Sequence, residues 1–169
     1  MAFHQSAAKV FLNMHSAFIV KRTTTHDADF ELLVAQLDHE LWYELGEDQA
    51  TYDQYNKVVH IKTAVVVYAD GQPVAIGCFK EFTPDTVEIK RMFVQKAFRG
   101  MGISKMVLTA LEQWAVEKGY SFAVLETSIH FETAKNLYRS NGYAVIPNYA
   151  QYADMEESIC MRKQLIKAI

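Results

Sequence analysis

A chain of 169 residues, half of them hydrophobic, carries enough apolar material for one buried core and too little for two. Its 17 Lys and Arg against 20 Asp and Glu leave a net charge of -3, with the bases scattered instead of blocked, which disfavours nucleic acid as the main ligand. No stretch approaches the ~18 consecutive apolar residues of a membrane span, and the leader lacks a charged start followed by a continuous apolar run, so a cytoplasmic protein without a membrane partner is expected. Cys78 and Cys160 lie in apolar stretches without CxxC or zinc spacing. The histidines form neither HxH nor HExxH, so free buried thiols and no bound metal are expected.

Residues 1–17 read as an N-terminal extension of unknown role, free of acids and with Lys9 as its one base, ahead of a single domain over 18–169. Met14 offers a second candidate start. "FIVKRT" (18–23) is a short strand, and Thr25 and Asp27 are N-cap candidates for a helix that buries Phe30, Leu33, Val34, Leu37 and Leu41 and stops at Gly46. "EDQATYDQYNKVV" is a more polar second helix. "TAVVVYA", the turn "DGQP", "VAIGCFKEF", the turn "PD" and "TVEIKRMFV" (86–94) form a three-stranded meander. Beyond it, Ile103, Met106, Val107, Ala110, Leu111 and Trp114 mark one face of a helix that ends at Gly119. "SFAVLET" is a buried strand, Phe131, Ala134, Leu137 and Tyr138 a shorter helix, and "YAVIP" and "SICMRKQL" the closing strands. Such an order implies a mixed sheet with helices on both faces.

The informative stretch is "VQKAFRGMGIS" (94–104), where a strand passes through two spaced glycines into a helix. Unpaired N–H groups at a helix N-terminus are a seat for phosphate, which leaves a P-loop, a dinucleotide fold and a coenzyme A site as candidates. The P-loop fails, because Gly102 is followed by Ile103, Ser104 and Lys105, with lysine and hydroxyl in the wrong order. The dinucleotide pattern keeps Gly100 and Gly102, and Glu126 stands where a ribose-binding acid would, but Lys105 replaces its third glycine.

Arg99, Gly100, Met101, Gly102, Ile103 and Ser104 resemble the acetyl-CoA-binding signature [QR]-x-x-G-x-[GA] of the GNAT superfamily of N-acetyltransferases. Ala134, Leu137, Tyr138, Gly142 and Tyr143 are similar to the family's later A-x-x-L-Y-x-x-x-G-[FY] segment. The resemblance covers residues 18 to 165 and implies an α/β (α+β) fold in the order βααβββαβαββ. Its central sheet would be mixed, mostly antiparallel and of about seven strands. Two positions depart from the pattern: Ser104 replaces a Gly or Ala, and Phe131 stands where many members carry an Asn.

What the resemblance implies is acetyl transfer from acetyl-CoA to a primary amine of a small molecule or peptide, by direct attack and without an acyl-enzyme. Backbone N–H groups of residues 99–104 would cradle the pyrophosphate, with Arg99 adding charge. Met92, Phe93 and Val94 would pair with the pantetheine arm like an extra strand. Tyr138 would protonate the leaving thiolate. Glu88 is the candidate general base, acting through water; the period-2 rule puts it on one strand face with Lys90, Met92 and Val94. Lys90 complicates this role, since a neighbouring cation favours the charged carboxylate. Acids and aromatics on the first two helices, among them Glu40, Asp53, Tyr52 and Tyr55, would suit a cationic acceptor, whereas Lys90 and Arg91 would suit one bearing a carboxylate. A non-catalytic acetyl-CoA-binding module is the alternative function. The aromatic closing segment raises a homodimer as a further expectation.

Overall fold

The computed structural model describes residues 18–165. The elements run β1 (Phe18–Thr23), α1 (Ala28–Leu45), α2 (Asp48–Asn56), β2 (Ala64–Ala69), β3 (Gln72–Thr83), β4 (Thr86–Val94), α3 (Ile103–Glu117), β5 (Phe122–Ser128), α4 (Glu132–Ser140), β6 (Ala144–Ile146) and β7 (Ser158–Gln164). Short 3₁₀ turns at Lys96–Phe98 and Ala150–Tyr152 join them, too brief to leave an apolar period in the sequence.

Local chemistry explains the boundaries. Asp27 caps α1 by accepting from the N–H groups of Asp29 and Phe30, and Gly46, at φ 57°, closes the helix by donating to the Trp42 carbonyl. Asp70 and Gly71, both at positive φ, make the tight turn that folds β2 onto β3. The strands form one seven-stranded sheet in the order β1-β2-β3-β4-β5-β7-β6. Every neighbouring pair is antiparallel except β4 and β5. A core under α3 and α4 gathers Val65, Val67, Phe79, Val87, Ile89, Val107, Leu111, Leu125 and Tyr138 on one face. A smaller core under α1 gathers Phe30, Leu33, Val66, Ile76 and Phe93 on the other. Apolar burial on both faces leaves the middle strands without a solvent side, which is why they read as nearly continuous apolar runs.

Two features of the sheet prepare the site. First, β4 carries a bulge. The register with β3 passes from Cys78↔Lys90 to Ile76↔Phe93, so an extra residue is accommodated on β4, and Arg91 there takes φ 58°. The bulge corrects the period-2 expectation. Met92 and Val94 pack into the α3 core with Val87 and Ile89, while Glu88 and Lys90 stay on the opposite face. Opposite the bulge, Gly77 leaves room for α3: a Cβ there would lie 2.7 Å from Val107 Cγ1 and 2.8 Å from Met92 Sδ. Second, β4 and β5 pair only over Thr86↔Phe122, Val87↔Ala123 and Glu88↔Val124, whereas β5 stays paired with β7 along its whole length, from Phe122↔Gln164 to Ser128↔Ser158. From Ile89 onward no strand among the described residues lies beside the β5-facing edge of β4.

Candidate active site

The open edge of β4 leads directly into the glycine loop. Gly100 and Gly102 both take left-handed φ, 78° and 77°, and a Cβ at either would meet nothing within 4 Å, so the backbone conformation and not crowding demands glycine there. The N–H groups of Gly100, Met101, Gly102, Ile103, Ser104 and Lys105 donate to no acceptor among the described residues, and no side chain caps α3. Successive bare N–H groups at a helix start form an anion-binding concavity. Arg99 does a different job. Its Nε donates to the Val94 carbonyl at 2.9 Å, and its Nη2 donates to both Glu40 carboxylate oxygens at 2.7 and 3.0 Å, tying the loop to α1. Its own N–H is spent on the Lys96 carbonyl, so the donor row begins at Gly100.

Where the strands part, charged side chains come together out of solvent. Glu88 is 2% exposed, with Lys80 Nζ and Lys90 Nζ each 3.5 Å from its Oε2, while the Tyr149 hydroxyl donates to its Oε1 at 3.2 Å. Lys90 Nζ also donates to the Tyr152 hydroxyl at 3.4 Å, and burial holds the Lys90 ammonium below the ordinary lysine range despite Glu88. On the other side of the gap, Glu126 Oε1 accepts from Ser158 Oγ at 2.6 Å, and Ser158 Oγ lies 3.3 Å from the Tyr52 hydroxyl of α2. Burial raises the Glu126 carboxyl above its usual range. Desolvation also pushes the Tyr149 and Tyr152 phenols up, with Glu88 among the charges acting on both.

The remaining predicted residues are placed around this gap. Tyr138 is buried on α4, its ring edge-on to Tyr143 at 5.8 Å, and burial followed by the Glu126 charge raises its phenol. No described residue takes its hydroxyl in a hydrogen bond. Phe131 is the N-cap of α4 and offers no side-chain cap bond. Arg91 is spent on Asp38 of α1, although its Nε is buried without a partner. Cys78 is fully buried and pushed up to about 12, and burial raises Cys160 to about 11, so neither is an activated thiol. Sequence reasoning weighed Glu126 only as a ribose-binding acid and missed Tyr149, Tyr152 and Ser158. The hint available was the polar, tyrosine-rich link between the closing strands.

A bare N–H cradle at a helix start, beside a strand edge opened by a parted parallel pair, defines a fold and site suited to an acyl carrier with a pyrophosphate. The acetyltransferase (GNAT) family model matches residues 28–143, and the chain belongs to that family. It is 30% identical to Probable N-acetyltransferase 14 of Xenopus tropicalis, over 93% of this chain and 73% of that one. The chain spans about half the length of other curated relatives that it matches. A Klebsiella pneumoniae chain described as an acyl-CoA N-acyltransferase superposes with a TM-score of 0.74 at 26% identity, over 89% of this chain and 99% of that one. The yncA structure of Salmonella typhimurium, which holds its cofactor acetyl-CoA, shares the fold at a TM-score of 0.65 and 15% identity. Among the described residues no helix is long and apolar enough to cross a membrane.

Proposed function

We propose that the chain transfers an acetyl group from acetyl-CoA to a primary amine of a small molecule or peptide by direct attack, with Glu88 as water-assisted general base and Tyr138 as general acid. The observation that carries this reading is the row of undonated N–H groups from Gly100 to Lys105 beside the open edge of β4. The pyrophosphate would sit on that row, and the pantetheine arm would run back along Met92, Phe93 and Val94, filling the place that β5 vacates. The thioester then reaches the bulge at Arg91 and Met92, between Tyr138 on one face and Glu88 on the other. A free strand N–H there would stabilise the oxyanion.

The amine nitrogen attacks the thioester carbon, and its proton leaves through water towards Glu88. When the adduct collapses, the C–S bond breaks and the thiolate takes the Tyr138 hydroxyl proton, leaving acetylated amine and free coenzyme A. Burial and Glu126 both hold the phenol above its ordinary range, so Tyr138 enters the reaction protonated. Lys90 and Arg91 are already matched by Glu88 and Asp38, which argues against a carboxylate-bearing acceptor as their purpose.

The deciding experiment incubates the protein with acetyl-CoA and a broad panel of primary amines, reading free thiol. Thiol release with at least one amine, together with a melting temperature raised by acetyl-CoA and not by NAD, is the expected result. Binding without release across the panel would leave a coenzyme-binding module. The same reading places the protein in the cytoplasm. It also has the protein pair along the sheet edge at β6, where Val145 is exposed, and a monomeric mass by light scattering would remove that assembly.

A further inference from the structure

We propose that Glu126 receives the positively charged amino group of the acceptor, which makes amines that arrive as ammonium ions the substrate class of this site. The proposal rests on the transferase reading above and adds to it the group that docks the nucleophile.

The first argument is charge matching. Of the charged side chains where β4 and β5 part, Lys80 and Lys90 share Glu88, and Arg91 has Asp38. Glu126 alone has no opposite charge within 4.0 Å among the described residues. Lys90 acts on it from farther away, and more weakly than burial does. A mostly buried carboxylate without a cation is costly unless a ligand supplies one.

The second argument is the count of donors and acceptors. Ser158 Oγ satisfies one oxygen of Glu126 and is itself met by Tyr52 of α2. The second oxygen of Glu126 accepts from no described residue, and an ammonium group brings three donors and no acceptor.

The third argument is position. Val124 is the last β5 residue paired with β4, and Glu126 lies two residues beyond it, on the same sheet face as Glu88 but at the open gap. Glu126 is also the carboxylate whose charge reaches Tyr138 from across the sheet. In the adduct, nitrogen and sulfur are bonded to one carbon, so the group that docks the amine must be near the group that protonates the thiol. A cation on Glu126 also offsets the charge that makes Tyr138 a weaker acid.

Glu126→Gln preserves size and the acceptor for Ser158. Without ligand at pH about 8, it is expected to leave the melting temperature unchanged or to raise it by roughly a few degrees. The gain should close below pH 4.5, because a raised carboxyl costs stability only where the unfolded chain would ionise it. Glu88→Gln is the control and lowers the melting temperature, since it strands Lys80 and Lys90. In thiol release at the same pH, KM for lysine and diaminobutane, whose ammonium groups have pKa near about 10, should rise roughly 10- to 100-fold in Glu126→Gln. kcat/KM for hydroxylamine, uncharged at that pH, should not fall, because it loses no docking contact and removal of the Glu126 charge makes Tyr138 a stronger acid.

A melting temperature that falls as far as in Glu88→Gln, or equal losses for charged and uncharged nucleophiles, overturns the proposal. Absence of thiol release from the wild type with every amine ends the transferase reading instead. Calorimetry of diaminobutane on the coenzyme A complex then decides Glu126: binding that Glu126→Gln abolishes supports it, and no binding to the wild type overturns it.

Discussion

The two halves of the site lie at the two ends of one open strand edge, and they recognise by different means. At the loop, donors come from the backbone, the glycines fix their direction, and the side chain of Arg99 braces the turn against α1. At the parting of β4 and β5, donors and acceptors come from side chains on β3, β4, β5, β7, α2 and the link before β7, and the backbone only sets how far apart they stand. A backbone cradle is indifferent to most substitutions that keep φ. A side-chain cluster is sensitive to every charge in it. On the proposed reading, binding of a shared donor belongs to the first half, and chemistry and acceptor choice to the second.

The comparison is tested most severely at Tyr138. Replacing it by Phe keeps the ring against Tyr143, so kcat is expected to fall roughly 10- to 10³-fold while acetyl-CoA affinity by calorimetry stays within about twofold. Glu88→Gln should lower kcat by roughly tenfold or more, with a deficit that shrinks as pH rises and the amine arrives neutral. A pH-independent loss in steady-state profiles would assign Glu88 to ion pairing with Lys80 and Lys90 instead of proton transfer.

The backbone half breaks in the opposite pattern. Gly102→Val forces a β-branched residue to φ 77°, a strain of about 1–3 kcal/mol, so acetyl-CoA affinity should drop roughly 10- to 100-fold and the melting temperature should fall by about 2–10 °C from that strain alone, since no atom crowds the new Cβ. Gly77→Ala separates packing from both halves. Its Cβ would press on Val107 and Leu111 of α3, at 2.7 and 2.9 Å, and should cost about 1–3 kcal/mol in urea unfolding. The smallest effect is expected at the brace: Glu40→Ala frees a half-exposed Arg99, for about 0.2–1 kcal/mol of stability and at most a few-fold in acetyl-CoA affinity.

Much of this molecule was determined by its sequence alone. β1 and β4 run over the residues that their apolar patterns mark, α1 lies between Asp27 and Gly46, and the bare N–H row follows from two glycines opening a helix. These are properties of neighbours along the chain: a period, a cap, a φ that only glycine adopts cheaply. The tertiary structure alone decided the rest. The bulge at Arg91 turns Met92 and Val94 away from Glu88, because β3 and β4 must fit between α1 and α3 at once. Arg99 is a charge beside the glycine loop in the sequence, and only the fold ties it to Glu40, from 59 residues away. Glu126 gains its meaning only when β5 leaves β4 and the chain returns Ser158 to it from 32 residues on. Which charge meets which, and which is left without a partner, depends on contacts closed across the whole fold, and no local pattern encodes them.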